Sequence, residues 1–337
     1  MNYSIKKNKS YELALTVDFD KADLDYYLNE ARKYLANDLK LDGFRKGKVP
    51  LDIAKEKLDK NRVLETAFNL AFRKSFGEIL SKEKLEMIET GNFQVKKNSP
   101  QKLVYSVTLT VFPEFEIKNY KNIKVDKKEI SVSQVEVNEV VESIKKSRAT
   151  HGVTPELNDD FAKSLGRFKD IKELKDSIEK GLKQEKEVKE SQRIQTAILN
   201  KIAESAIIEI PLILIDRQLD QMMLDLDVDL HRQGMELGLF LAKIKKTREA
   251  LRDEWKPKAE TLAKKALILK EIAKKERIEV GPEEVNGKID QFLGSFMTLD
   301  ETQKNIDLPK LSDQIRQILL NQKVLAFLEK QAEYALD

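Results

Sequence analysis

Tyr11, Leu13, Leu15, Val17 and Phe19 alternate with Glu12, Ala14, Thr16 and Asp18. That is the period-two pattern of a strand with one buried face. The period then lengthens. Leu24, Leu28, Ala31, Leu35 and Leu39 recur at helical spacing, Asp20 or Asp23 stands where a helix is capped, and the helix is expected to end near Leu41. Pro50 suits a first helical position. Ile53, Ala54 and Leu58, then Leu64, Ala67, Phe68, Ala71, Phe72, Phe76 and Ile79, carry an apolar stripe to about Leu80, with a break expected near Asp59 to Asn61. Two strands follow, over 87–95 and 103–111, across a turn containing Pro100. Residues 1–115 are therefore expected to form a β-α-α-β-β domain.

From Phe112 the chain is extended and rich in lysine, the mark of a connecting segment. Ser133 and Glu136 form a capping box ahead of Val137, Val140, Val141 and Ile144, predicting a helix that stops at "ATHGVTPELND". After Asp159 nearly everything carries helical periodicity: 171–206, a helix opened by Pro211, then 235–275, 282–297 and 309–335. Pro257, Pro282 and Pro309 are expected to interrupt any long coiled coil. The predicted class is α+β. The N-terminal β-α-α-β-β domain (1–115) is followed by a linker and helix (116–152) and an elongated all-α C-terminal domain with helical arms (153–337).

Composition sharpens this picture. Charged residues make up 35% of the 337, aromatics 7%, and there are only 12 Gly and 8 Pro, which favours long solvated helices. The formal charge of +3 is unevenly placed: residues 1–115 hold 21 Lys and Arg against 17 Asp and Glu, so attraction to polyanions is expected at the N-terminal end. With no cysteine, disulfides and thiolate sites are excluded. The absence of an apolar leader or a spanning run leads to the expectation of a soluble cytoplasmic protein.

Catalytic and cofactor chemistry finds little footing. The two histidines, His151 and His231, stand without metal-spaced partners, and His231 lies where a helix end would favour a charged imidazole. Asp225, Asp227 and Asp229 alternate with Leu224, Leu226 and Val228, which is read as a helix with a wet side, since the calcium-loop glycine and terminal glutamate are missing. There is no nucleophile elbow. No metal and no cofactor are implied.

"LDGFRKGKVPLD", 41–52, is the distinctive stretch. As a phosphate loop it fails: three residues separate Gly43 from Gly47, Val49 follows Lys48, and a helix precedes it. As a turn between two helices it places Phe44, Arg45, Lys46 and Lys48 at a tip shaped by Gly43, Gly47 and Pro50. Either Phe44 folds back on its own helices, or it enters an apolar crevice on a partner while the cations meet phosphates or carboxylates. "GFRKGKVP", 43–50, resembles the ribosome-docking signature of the bacterial trigger factor family. "TPELNDDFAKSLGRF", 154–168, and "IEIPLILIDRQLDQMM", 208–223, are similar to the family's C-terminal domain and first arm. The resemblance implies an ATP-independent chaperone that docks on the large ribosomal subunit at the tunnel exit, among protein and rRNA, through Gly43, Phe44, Arg45, Lys46, Gly47, Lys48 and Pro50. It further implies that nascent and unfolded chains are shielded there, and that the free protein dimerises. Family members ordinarily insert an FKBP-like prolyl isomerase domain after the linker helix. Here "KKSRATHG" runs almost directly into "VTPELND", so no isomerase activity and no catalytic residue carry over.

A chaperone of this kind needs apolar surface that repacks around many sequences, which suits methionine. Met222, Met223, Leu226, Met235, Leu239, Phe240, Phe292, Phe296, Met297 and Leu299 are the expected client contacts, although helical spacing equally suits internal packing. Two other classes stay open: a ribosome- or RNA-binding assembly factor, which would keep the basic tip alone, and a helical scaffold.

Overall fold

The computed structural model describes residues 1–42, 44–45, 49–149, 155–294 and 307–336. The order begins β1 (Asn2–Lys9), β2 (Glu12–Phe19), α1 (Lys21–Asp38), α2 (Leu51–Lys57), α3 (Lys60–Lys82), β3 (Met87–Ser99) and β4 (Lys102–Val111). It continues with β5 (Lys124–Lys127), α4 (Gln134–Ser147), α5 (Asp159–Leu165), α6 (Ile171–Ser205), α7 (Leu212–Arg232) and α8 (Leu237–Lys243). Last come α9 (Arg248–Lys275), α10 (Pro282–Gly294), α11 (Leu308–Lys330) and β6 (Glu333–Leu336). The α+β expectation holds. No helix among the described residues is long and apolar enough to cross a membrane.

The chain divides by internal packing into two units, 1–115 with 207–260, and 116–206 with 261–337. The sequence division into 1–115, 116–152 and 153–337 follows chain order, whereas these units follow packing.

In the first unit an antiparallel sheet of order β1-β2-β4-β3 buries one face. Opposed pairs Leu13 and Leu109, Leu15 and Val107, Val17 and Tyr105, and Phe19 and Leu103 point the same way because directly facing residues share a side of the pleat. Onto that face pack Leu24, Leu28, Ala31 and Leu35 of α1 and Val63, Ala67, Ala71 and Ile79 of α3. Each fully buried Leu or Val contributes about 1.5–3 kcal/mol of transfer free energy. Asp20 caps α1 by accepting from the Asp23 amide, and Asp23 accepts in return from the Asp20 amide, so the two expected caps act as one reciprocal box. Both sheet edges resist pairing with other chains: β1 carries Lys6, Lys7 and Lys9, and β3 is broken by three register shifts.

Further along this unit, α7 meets α9 through Ile215, Leu219 and Ala259, with Ile210, Met222 and Trp255 around them. Arg252 pairs with Asp216 and Asp220 beside this interface of helices. Glu209 accepts from the Ser10 hydroxyl at 2.8 Å, and Arg217 donates to the Ile88 carbonyl at 3.2 Å. These two bonds tie the segment after Ala206 to the β1–β2 turn and to β3 of the same unit.

Three expectations need correction. Residues 235–275 are two helices, α8 and α9, because Lys245 enters the left-handed region at φ 54° and the Lys246 amide returns to the Leu241 carbonyl, ending α8. Pro257 does not interrupt α9. The helix runs on through it, with Leu251 and Ala259 buried on either side, so packing offsets the missing backbone bond. The last helix stops at Lys330 rather than near Ala335, because the chain then becomes β6 and pairs in parallel with β5, from Lys124 opposite Glu333 to Lys127 opposite Leu336.

In the second unit α6 supports β5 through long side chains. Arg193 donates to the Asp126 carbonyl, Lys201 donates to the Lys124 carbonyl at 2.7 Å, and Glu190 accepts from the Lys128 amide at 2.8 Å. Hydrogen bonds from the Arg193 guanidinium and the Lys128 amide hold the Glu190 carboxyl down at about 2. The Lys186 ammonium and the Ser133 amide and hydroxyl do the same for Glu136, also to about 2. Both acids ionise more readily in the folded chain than at the ordinary glutamate value of 4.5. Their stabilisation is therefore complete above about pH 4.5 and disappears as pH falls towards about 2. Melting followed by circular dichroism at pH 7, 4, 3 and 2 should show a Glu136→Gln, Glu190→Gln variant less stable than the parent at pH 7 and converging with it at pH 2. A constant gap across that window would refute the assignment.

Candidate functional site

The turn between α1 and α2 is built from its flanks inward. After Asp38 the backbone at Leu39 leaves the helix for an extended conformation, φ −67° and ψ 126°. Leu41 and Phe44 then form an isolated antiparallel bridge, the Phe44 amide donating to the Leu41 carbonyl at 3.0 Å. Pro50, at φ −57°, starts α2. Beneath the turn Ala36, Val49 and Ala54 are buried, with Leu39, Leu41 and Leu58 packed against them.

Phe44 retains 39% of its surface and belongs to neither this cluster nor the main core. Arg45 beside it is exposed. An outward aromatic flanked by an outward cation is thus the described part of the predicted tip. Gly43, Lys46, Gly47 and Lys48 lie outside the described residues. Sequence periodicity placed Ile53 on the buried stripe, yet Ile53 and Leu51 are exposed. The reason is that α2 has only seven residues, and its inward position is taken by Ala54. The turn therefore offers aliphatic as well as aromatic surface.

A second set of exposed apolar side chains lies within residues 207–260. Ile207 is 94% exposed, and Leu212, Leu224, Val228 and Leu239 are exposed with it. Of the expected client contacts, Leu239 and Phe292 are exposed, and Met222, Leu226, Met235 and Phe240 are half-buried. Met223 is 1% exposed and serves helix packing, which takes it out of any open surface. Phe296, Met297 and Leu299 lie outside the described residues. The sequence does not single out Ile207 and Leu212, because "IIEIPLIL", 207–214, is apolar apart from Glu209 and gives no sign of which members turn outward.

The polar clusters are already engaged. Asp225 accepts from Gln221 at 2.7 Å, Asp229 pairs with Arg232 at 3.3 Å, and the Nδ1 of His231 lies 2.8 Å from the Asp227 carbonyl. His231 sits in the last turn of α7, and His151 lies outside the described residues. Among the described residues no group of three His, Asp or Glu is placed to hold a metal ion. An open cavity of about 670 Å³ in the second unit is lined by Lys128, Ile130, Glu187, Glu190, Ile194 and Glu329. Two of its carboxylates are spoken for, Glu190 by Arg193 and Glu329 by Ser191 and Gln195.

A packed α+β domain thus presents an aromatic and cationic turn, and within 207–260 apolar side chains are exposed. Two family models match the chain, the bacterial trigger factor protein over residues 1–144 and the bacterial trigger factor protein C-terminus over 170–330. The chain belongs to the trigger factor family. The trigger factor of Caldanaerobacter subterraneus subsp. tengcongensis is 23% identical over 427 aligned positions, covering 99% of each chain. That of Brevibacillus brevis is 21% identical, covering 86% of this chain and 89% of its own. A solved structure described for promiscuous substrate recognition in the folding and assembly activities of the trigger factor chaperone aligns with a TM-score of 0.56 at 18% identity, over 97% of this chain and 99% of that one, a likeness of fold. The 427 positions exceed the 337 residues present here, so part of the Caldanaerobacter protein faces gaps.

Proposed function

We propose that this chain is an ATP-independent chaperone of the cytoplasm that docks on the large ribosomal subunit at the tunnel exit and shields apolar segments of emerging or unfolded polypeptides. The observation that carries the reading is the outward pair Phe44 and Arg45 on a hydrogen-bonded turn, within the stretch that matches the family's docking signature. A single aromatic anchor supplies binding energy, while Arg45, Lys46 and Lys48 supply salt-dependent attraction to rRNA phosphates. Gly43, Gly47 and Pro50 complete the docking set as shaping residues.

Tethering raises the local concentration of the exposed apolar side chains near an emerging chain, to the millimolar range for short reach. Client contact is assigned to Ile207, Leu212, Leu224, Val228 and Leu239, with Met222, Leu226, Met235, Phe240 and Phe292 able to join on repacking. Met side chains suit this because they are flexible and polarisable. Prolyl isomerase activity forms no part of the proposal: only residues 145–169 separate the two matched regions, too few for a further domain, whose usual minimum is about 50 residues.

Co-sedimentation with purified ribosomes, at salt between about 50 and 200 mM, tests the docking half. Binding should weaken with rising salt, and the same preparation should suppress aggregation of a denatured client without ATP. Absence of pelleting at low salt removes the docking reading. Pelleting without any protection of the client favours an assembly factor instead.

A further inference from the structure

The turn is held by a packing unit of its own. Ala36, Val49 and Ala54 are buried together, and of the described residues packed around them only Leu58 also packs against the main core. Helix α2 has seven residues, far short of the length at which a helix persists alone, and its N-terminal Pro50 supplies no side-chain cap. The close approach of α2 to α1 depends on alanine at both facing positions, Ala36 and Ala54, which lets the two backbones come near while Val49 fills the remaining space. Leu41 lies in the same cluster and accepts from the Phe44 amide, so the packing and the hydrogen bond that closes the turn share a residue.

We propose that Val49, Ala54 and Leu39 are positioning residues for docking: they touch no partner, and they keep Phe44 and Arg45 in the binding-competent arrangement before docking. This inference rests on the docking function proposed above. A turn ordered only part of the time binds more weakly in proportion to the competent fraction, with the same interactions once bound. Weakening the small cluster should therefore lower affinity while leaving the ionic interactions with the partner unchanged.

The test uses the full chain, with Val49→Ala and Leu39→Ala as perturbing variants and Val49→Ile as the conservative control. Amide hydrogen exchange reads the turn directly through the Phe44 amide, with amides of β2 and β4 as the reference for the main core. In each alanine variant Phe44 should exchange about tenfold faster while the strands do not change, and ribosome affinity should fall by about five- to tenfold with an unaltered salt slope. Val49→Ile should behave as the parent. Unchanged Phe44 exchange in both alanine variants, or faster exchange with affinity intact, overturns the proposal. A shallower salt slope would also overturn it, because it would mean that an ionic interaction with the ribosome had been removed instead of an arrangement within the turn. Should the parent itself fail to bind ribosomes, the docking reading is what falls, and the exchange measurement alone still decides whether this cluster holds the turn.

Discussion

Replacing Phe44, Arg45 and Lys46 together with alanine should weaken ribosome binding by about a hundredfold at moderate salt, the largest functional effect expected of any surface change in this chain. An aromatic anchor that fills a partner crevice carries about 2 kcal/mol or more when truncated. Removing a cation that meets a phosphate should also reduce the slope of log affinity against log salt by about 0.7–0.9 for every phosphate left unneutralised. The single variants separate the two contributions. Phe44→Ala should lower affinity with the salt slope preserved, since it removes burial and no charge. Arg45→Ala should flatten the slope, and its effect should fade at high salt. Binding isotherms over a salt series, with far-UV circular dichroism to confirm folding, check both. A triple variant that binds like the parent would place the docking surface elsewhere on the protein.

Tyr105→Ala should be the most damaging single substitution to the first unit. Tyr105 is fully buried on β4, its hydroxyl lies 2.8 Å from that of Ser75, and the rings of Phe68, Phe72 and Phe93 surround it at centroid distances of 6.3, 5.2 and 6.0 Å. Burial raises its phenol above the ordinary value, so the group stays neutral and hydrogen-bonded at physiological pH. Removing the ring leaves a cavity and costs about 3–5 kcal/mol, against a total stability of about 5–15 kcal/mol for a typical domain. Tyr105→Phe keeps the ring and costs only about 1 kcal/mol, because Ser75 retains its bond to the Phe72 carbonyl at 3.3 Å. Urea titrations of the three proteins should show a large fall in midpoint for alanine and a small one for phenylalanine. Equal midpoints for the two variants would mean that the hydrogen bond, and not the aromatic packing, dominates the site.

Elements whose pattern repeats over several turns or residues were legible in advance. β2 and β4 alternate without exception, and α1, α3 and α6 sustain apolar stripes with acidic caps at Asp20, Asp59 and Asp170. The capping box at Ser133 and Glu136 marked the start of α4 to the residue. β1 escaped notice because only Tyr3 and Ile5 of its eight residues turn partly inward, and its edge is lysine-rich. β5 and β6 escaped because four-residue strands carry no period of their own. The end of α8 at Ile244 was obscure for another reason. The left-handed residue that follows is Lys245 rather than glycine, whereas among the described residues Gly234 after α7 gives the usual signal.

Local interactions made the sequence sufficient for a good deal: the α+β class, the helical second half and the apolar-cationic composition of the 43–50 turn all follow from periodicity, caps and composition, which act between near neighbours in the chain. What it left open was decided by packing between distant segments. That 207–260 belongs with 1–115, that β6 pairs with β5, that Ile53 faces outward while Ala54 faces in, and that Met223 is core while Ile207 is bare are outcomes of tertiary packing. An apolar side chain carries the same hydrophobicity whether or not a neighbour covers it. Only the tertiary structure says which of them are left for a partner to cover.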